Sequence, residues 1–222
     1  MLTIEGLTKG FGGRTVLDAV SVEMPSRSVN FVMGPNGVGK TTLIRCVLGL
    51  HRYRGEVTWD GDPIDPAERR VCPVFDDAPF HPGLTGLQNL KVLAPESVRG
   101  PSVYLSPDTL GRKVKGYTHG ERMRLALMSA FNSGAELVIL DEPTNGLDRD
   151  TMQQLKADIQ ARKSTTTFIV TGHNLEFYDD IVDNLFVIKD GKVSLAASSS
   201  QHPDRKADLA RVYDEHYPSA GR

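Results

Sequence analysis

The stretch from Gly34 to Thr42 reads GPNGVGKTT, and it follows directly on the apolar run Val29–Met33. Its spacing fits G-x-x-x-x-G-K-[ST], a pattern in which a strand leads into a glycine-rich loop and the loop into a helix. Apolar residues at helical spacing supply that helix: Leu43, Ile44, Val47 and Leu48. In such a loop the backbone N–H groups turn inward on an anion, and the positive end of the helix faces the same point. The stretch therefore predicts a loop that binds the phosphates of a nucleoside triphosphate.

The chemistry of phosphate binding assigns roles within this loop. The glycines allow the backbone angles that an anion cradle needs. Lys40 is expected to reach the β- and γ-phosphates, and the Thr41 hydroxyl to become a ligand of Mg²⁺. The alternative, a glycine-rich turn without a ligand, is disfavoured by the strand and helix on either side. The predicted nucleotide-binding residues here are Gly34, Asn36, Gly37, Gly39, Lys40, Thr41 and Thr42.

Short β-branched runs recur along the chain with helical segments between them. Such runs are typical of strands buried on both faces, and helices between strands indicate a mainly parallel sheet. The predicted core strands are Val29–Met33, Leu137–Leu140, Thr166–Val170 and Leu185–Ile188. Nearer the start, the predicted strands are Leu2–Leu7, Val16–Met24 and Glu56–Trp59, followed by a hairpin turn at Asp60-Gly61. We expect an α/β fold in which a P-loop core with a mainly parallel sheet lies beside an N-terminal antiparallel β layer.

Two carboxylates follow the core strand Leu137–Leu140. Ligands of open α/β sheets sit at the carboxyl ends of the strands, so Asp141 is expected to hold Mg²⁺, directly or through water. Glu142 is expected to orient or deprotonate the attacking water. His173 follows the next core strand, where its imidazole is expected to bind the γ-phosphate. The alternative for the carboxylate pair, two solvated turn residues, is disfavoured by the nearby phosphate loop.

Composition excludes several classes of protein. Lys plus Arg is 26 and Asp plus Glu is 28 among 222 residues, a net charge of −2 that argues against a protein built to wrap nucleic acid. The apolar runs are far shorter than the ~18 residues needed to cross a bilayer, and the start does not resemble a signal peptide. Cys46 and Cys72 lie alone in apolar surroundings, as in a protein of the reducing cytosol without disulfides.

Three segments occur in an order that resembles the nucleotide-binding domain of an ABC transporter: GPNGVGKTT, LVILDEPTNGLD and TGH. The resemblance runs from about residue 2 to residue 193, and LDEPTNGLD is its most specific part. It implies ATP as the nucleotide, Glu142 as the catalytic glutamate and His173 as the switch histidine. It also implies that Phe11 stacks on adenine and that the loop ending at Asp148 signals between two protomers.

Two segments depart from the usual sequence of this family. The signature segment, expected to complete the site of a second subunit in trans through Thr118 and Gly120, carries Glu121 where relatives have a neutral residue. Thr118 and Glu121 also fit a capping box, which would start a helix whatever its function. The position of the metal-sensing glutamine is occupied by Asp76, expected to contact Mg²⁺ or, alternatively, to be a solvated loop acid.

The resemblance implies an ATPase domain over residues 1–193, whose short helical subdomain spans about 77–135. Residues 194–222 are expected to hold a Ser-rich linker and an amphipathic C-terminal helix. The implied protein homodimerises head to tail on ATP, hydrolyses ATP and powers a separate membrane permease of exporter type, which it contacts through residues 79–105. It would be cytoplasmic and peripheral on the inner face of the membrane, and would bind no nucleic acid. The alternatives are a non-transport or regulatory ABC ATPase and an ATP-binding module with little turnover.

Overall fold

The computed structural model describes residues 1–65, 70–100, 103–198 and 208–218. The strands are β1 (Leu2–Phe11), β2 (Arg14–Met24), β3 (Val29–Met33), β4 (Arg54–Trp59), β5 (Asp62–Pro63), β6 (Val71–Val74), β7 (Leu137–Asp141), β8 (Thr167–Thr171), β9 (Asn184–Lys189) and β10 (Lys192–Ser198). The α-helices are α1 (Lys40–Val47), α2 (Gly86–Leu93), α3 (Pro107–Gly111), α4 (His119–Phe131), α5 (Arg149–Arg162), α6 (Leu175–Tyr178) and α7 (Leu209–His216). Two 3-10 turns lie at Pro95–Arg99 and Val114–Gly116.

The core is a six-stranded sheet in the order β10-β9-β3-β8-β7-β6. All neighbours pair in parallel except β10, which is antiparallel to β9. Strands β3, β7 and β8 are buried at every position, as their mostly apolar, non-alternating sequences predict. The carboxyl ends of these three strands meet at one edge, where the phosphate loop, the two carboxylates and the histidine follow. The predicted α/β fold is confirmed.

Strand β6 lies at the edge of this sheet and was not among the predicted strands. It contains Pro73, which has no N–H to donate to a neighbouring strand and is therefore typical of edge strands. Its one partner in the sheet is β7, so the missing donor is tolerated there.

The predicted antiparallel layer is present as a four-stranded sheet in the order β2-β1-β4-β5. The hairpin between β4 and β5 turns at Asp60 and Gly61, whose φ angles are 52° and 88°. Two successive residues with positive φ are the mark of a type I′ turn, which suits the twist of the flanking strands. Helix α1 packs between this layer and the core sheet, so the phosphate loop is supported from both sides.

The opposite face of the core sheet is covered by α4, α5 and the segment between β6 and β7. This segment carries the exposed helix α2 and is tied to α5 by Tyr104, whose buried hydroxyl donates to Asp158 Oδ2 at 2.7 Å. Helix α2 begins with Thr85 as N-cap, in a reciprocal capping box with Gln88.

The C-terminal part differs from expectation at its start. Strand β10 runs across the expected boundary between 193 and 194 and into the predicted linker, because its backbone pairs with β9 as far as Ser198. The rest of the predicted linker lies outside the described residues. Helix α7 is amphipathic as predicted, and its buried Leu209 docks beside α6, with the Leu209 N–H donating to Asp179 Oδ1 at 3.0 Å. Across the described ranges no helix has the length and apolar character needed to span a membrane.

Candidate active site

The phosphate loop joins β3 to α1 and has the backbone that its glycines predict. Gly37 has φ 78° and Gly39, the N-cap of α1, has φ 122°, angles that residues with a Cβ rarely adopt. A Cβ on Gly39 would also lie 3.0 Å from Val16 of the antiparallel layer. Asn36 is exposed on the loop, and Thr42 is half-buried in the first turn of α1. The loop is thus shaped by sequence to present successive N–H groups to an anion.

Lys40 is held inside the loop with little exposure to solvent. Its Nζ donates to Gly34 O at 2.7 Å and to Pro35 O at 3.3 Å, and lies 3.9 Å from Glu142 Oε1. Burial lowers the pKa of Lys40, while the carboxylates of Glu142 and Asp141 act in the opposite direction. The ammonium is therefore placed at the mouth of the loop, between the backbone that would surround the phosphates and the predicted catalytic carboxylate.

Asp141 ends β7 and is fixed by two threonine hydroxyls. Thr41 donates to its Oδ2 at 2.8 Å, and Thr171 donates to its Oδ1 at 2.6 Å. Thr171 is the register partner of Asp141 on β8, so the parallel pairing of the two strands creates this contact. The carboxylate is buried. Its Oδ2 is held by the first turn of α1 and its Oδ1 by the end of β8. The structure thus brings Asp141 and Thr41, both predicted as metal ligands, into direct contact.

Glu142 is the next residue, and it has φ 54°, a left-handed conformation that costs energy in a residue with a long side chain. One oxygen of its carboxylate lies 2.8 Å from His173 Nε2, and the other accepts from Asn145 Nδ2 at 3.1 Å. Together with the contact to Lys40, these partners place the two predicted catalytic residues, Glu142 and His173, in direct contact at the mouth of the loop.

The signature segment forms the N-terminus of α4. Thr118 is the N-cap, and Glu121 completes the predicted capping box: Glu121 N donates to Thr118 Oγ1 at 3.2 Å and Thr118 N donates to Glu121 Oε2 at 2.8 Å. A Cβ on Gly120 would lie 2.4 Å from the carbonyl oxygen of Gly146, so the absent side chain permits close contact between the signature segment and the loop that follows β7. Arg112 forms an ion pair with Glu121.

Two further predicted residues lie on the surface. Phe11, at the end of β1, is 48% exposed; Lys9 Nζ lies 4.5 Å from its ring centroid and the ring of His51 meets it edge-on at 5.4 Å. Asp148 is the N-cap of α5, and its Oδ2 accepts from Arg124 at 2.6 Å. The exposed face of Phe11 is available to stack on a base, whereas Asp148 connects α5 to α4.

Comparison with known proteins agrees with this geometry. The family model described as "ABC transporter" matches residues 17–145, more than half of the 222 residues. The chain belongs to the ABC transporter family. The enzyme class expected from the sequence, an ATPase of this family, is confirmed at this level.

The relatives of this chain are named for different transport functions. The chain is 31% identical to the lantibiotic transport ATP-binding protein SrtF of Streptococcus pyogenes, over 88% of this chain and 90% of the relative. It is also 31% identical to the Fe(3+) ions import ATP-binding protein FbpC of Streptomyces coelicolor, over 94% of this chain and 65% of the relative. Among solved structures, the dimeric post-hydrolysis state of the ATP-binding cassette MJ0796 bound to ADP and Pi matches with a TM-score of 0.76 and 22% identity, over 87% of this chain and 97% of that one. The last likeness shows that the chain has the fold of an ABC cassette.

The oxygen donors of this cassette fit Mg²⁺, which prefers carboxylate and hydroxyl ligands together with phosphate oxygens and water. Thr41 and Asp141 offer such donors side by side. Asp76 is placed differently: its Oδ1 lies 2.9 Å from His119 Nε2, in contact with the signature segment. Across the described residues no group of three or more His, Cys, Asp or Glu side chains is arranged to hold a metal alone. A nucleotide's own phosphates would therefore complete the shell.

Several residues of the site were not predicted. Thr171 donates to the Asp141 carboxylate, and Asn145 donates to the Glu142 carboxylate. In the sequence, Thr171 is typical of a strand and Asn145 of a turn, so neither signals this role. Tyr217, just after α7, donates its hydroxyl to Ile188 O, and that hydroxyl lies 3.3 Å from where a Cβ on Gly34 would be. The end of the C-terminal helix thus packs against the start of the phosphate loop, a contact that no local sequence signal reveals.

Proposed function

We propose that this chain binds ATP with Mg²⁺ and hydrolyses it as a head-to-tail homodimer, and that the dimer powers a separate membrane permease. The observation that carries the proposal is the position of the Glu142 carboxylate. It lies 2.8 Å from His173 Nε2 and 3.9 Å from Lys40 Nζ, beside the Thr41–Asp141 pair. The proposed general base Glu142 therefore lies at the same sheet edge as the side chains that would bind the γ-phosphate, Lys40 and His173. The oxygen donors for the metal, Thr41 and Asp141, lie there as well.

Each side chain has a step to perform. The Lys40 ammonium neutralises charge on the β- and γ-phosphates. Glu142 accepts a proton from the water that attacks the γ-phosphorus, the bond to the bridging oxygen breaks, and ADP leaves with the electron pair. His173 holds the Glu142 carboxylate and the γ-phosphate in register. Mg²⁺, held by Thr41 and Asp141, would neutralise the charge of the phosphate oxygens.

The remaining predicted residues would act at the dimer interface or bind the adenine of ATP. Thr118 and Gly120 lie at the N-terminus of α4, whose positive dipole end and N–H groups would face the γ-phosphate bound to the partner protomer. Asp148 connects that helix to α5 through Arg124, and Phe11 would stack on adenine. The dimeric state of a cassette with the same fold supports this arrangement. Asp76 contacts His119 of the signature segment, and its contact with Mg²⁺ stays a prediction.

The permease contact is assigned to the exposed apolar side chains of the segment 79–105. Leu87, Val92 and Leu93 of α2 are exposed by 37%, 68% and 53%, and Val103 is exposed by 54%. Large exposed apolar side chains in one segment are a feature of interaction surfaces. Binding there would hold the cassette on the inner face of the membrane. The proposed export direction rests on the resemblance of residues 114–127, VKGYTHGERMRLAL, to exporters of this family. The relatives do not decide the direction, because one is named for lantibiotic transport and another for the import of Fe(3+) ions.

The test is the steady-state ATPase rate measured over a range of protein concentrations. Specific activity should rise with concentration, because half of each site comes from the partner. Glu142→Gln should lower the rate by about 10²-fold or more, the usual contribution of a general base. Glu136→Gln is the matched control: Glu136 precedes β7 where Glu142 follows it, and it pairs with Arg70 at 3.0 Å on the surface. Equal rates for wild type and Glu142→Gln would refute the assignment.

A further inference from the structure

Glu121 places a carboxylate in the signature segment, which the proposed dimer would bring close to a second ATP. A negative charge facing a triphosphate in a partly dehydrated interface opposes association. The structure shows how this chain compensates that charge. The Arg112 guanidinium binds Glu121 Oε1, while Oε2 accepts from the backbone N–H of Thr118. Both carboxylate oxygens therefore have a donor.

Arg112 is held in place by more than this ion pair. Its backbone carbonyl accepts from the N–H of Gly86, the first residue of α2, at 3.2 Å. Its guanidinium carbon lies 5.4 Å from the centroid of the Tyr117 ring, which precedes the N-cap of α4. The Tyr117 hydroxyl in turn donates to Thr109 O. The same hydroxyl packs so closely on Gly86 that a Cβ there would lie 2.3 Å from it. Arg112 thus sits between the start of α2 and the start of α4 and touches both.

Electrostatics at Glu121 agree with the contact. Burial alone would raise the pKa of Glu121, but the Thr118 amide and the Arg112 guanidinium outweigh this effect and leave the pKa below its usual value. Arg124, the other cation that acts on Glu121, is engaged with Asp148 at 2.6 Å. Arg112 is therefore the cation in direct contact with the carboxylate.

We infer that Arg112 is a positioning residue of the ATPase site, which neutralises Glu121 and fixes the N-terminus of α4 against α2 so that the signature segment accepts the partner's ATP. The inference rests on the proposed head-to-tail dimer. It explains how a signature segment with an acidic residue remains competent. Arg112 itself need not contact the nucleotide.

The test compares Arg112→Ala, Glu121→Gln and the double variant, with Lys113→Ala as the matched control. Lys113 is the adjacent residue and carries the same charge, and its backbone bridges Thr85 of the same segment. Arg112→Ala should lower kcat/KM for ATP by about tenfold, the effect of one uncompensated like charge near the phosphates. Lys113→Ala should remain within about twofold of wild type. Removing the charge of Glu121 in the double variant should restore the rate to that of Glu121→Gln alone.

A second measurement separates this inference from the dimer proposal. In the Glu142→Gln background, light scattering gives the ATP concentration at which half of the protein is dimeric. Adding Arg112→Ala should raise this concentration about tenfold. Adding Glu121→Gln as well should lower it again to the value of the background variant. If the background variant dimerises equally well with and without Arg112, the inference is refuted while the dimer stands. If it does not dimerise at all, the dimer proposal fails first. Melting temperatures of all variants check that the fold is intact, and a double variant no better than Arg112→Ala alone would assign Arg112 a purely structural role.

Discussion

Thr171→Val tests whether the hydroxyl of Thr171 holds in place the Asp141 carboxylate, which we propose binds Mg²⁺. Thr171 is fully buried, and valine has nearly the same shape, so the change removes the hydroxyl without opening a cavity. The lost interaction is the 2.6 Å hydrogen bond to Asp141 Oδ1. The N–H of Glu142 also donates to Thr171 Oγ1 at 3.1 Å, but it keeps the backbone oxygen of the same residue at 3.2 Å.

The expected cost follows from these contacts. A hydrogen bond to a charged group contributes about 1.5–3 kcal/mol, so unfolding free energy should fall by roughly 2 kcal/mol. For a chain of this size that corresponds to a melting temperature lower by about 4–8 °C. Because Asp141 then keeps only Thr41 as a side-chain donor, the Mg²⁺ concentration for half-maximal ATPase should rise about tenfold, as for other residues that orient a metal ligand.

Thr167→Val provides the control at the other end of the same strand. Thr167 is buried, and its hydroxyl accepts from the N–H of Arg27 at 2.7 Å, far from the site. Its removal should lower stability by about 1 kcal/mol and leave the Mg²⁺ dependence unchanged. Calorimetry gives the stability of both variants, and ATPase titrations with Mg²⁺ give the second quantity. A Thr171→Val protein with wild-type Mg²⁺ dependence would refute the reasoning.

Three other predictions concern the signature segment and the core. Gly120→Ala places a Cβ 2.4 Å from the oxygen of Gly146, so it should lower the unfolding free energy by about 1–3 kcal/mol and also lower the ATPase rate. Gly116→Ala has open space at its Cβ and should change neither quantity. Equal melting curves for the two variants would contradict this prediction. Folding lowers the pKa of Glu121, so its contribution to stability is present above its ordinary pKa of about 4.3 and is lost as the pH falls below that value. The difference in unfolding free energy between wild type and Glu121→Gln should therefore be present at pH 6 and shrink progressively in acid. Burial raises the pKa of the Cys72 thiol to about 11, so that thiol should resist alkylation at pH 7.5 until the protein is unfolded; rapid labelling of the native chain would be inconsistent with the packing.

The parts of the fold that were predictable share a physical property. Strands β3, β7 and β8 are buried on both faces, so their sequences are mostly apolar without strict alternation, and their ends can be located within a residue. The phosphate loop is specified locally by glycines whose φ angles other residues rarely adopt. Strand β6 was missed because a short segment with a proline does not resemble a strand, and only its edge position makes it one.

The unpredicted parts of the site depend on neighbours distant in sequence. Thr171 has the β-branched side chain of any buried strand, and its role exists only because β8 pairs with β7 in a register that opposes it to Asp141. Arg112 and Glu121 are nine positions apart, but they meet because the intervening chain folds back at Val114–Gly116. Tyr217 reaches the phosphate loop through the packing of α7 on α6, which no periodicity encodes.

The central claim is that each protomer supplies half of the site that cleaves ATP. Light scattering of Glu142→Gln with saturating ATP and Mg²⁺ measures this most directly, because the variant should bind ATP without consuming it. We predict twice the mass of a single chain with ATP, and the mass of a single chain without nucleotide or when Lys40→Ala is added. A mass of one chain with saturating ATP bound would contradict the account.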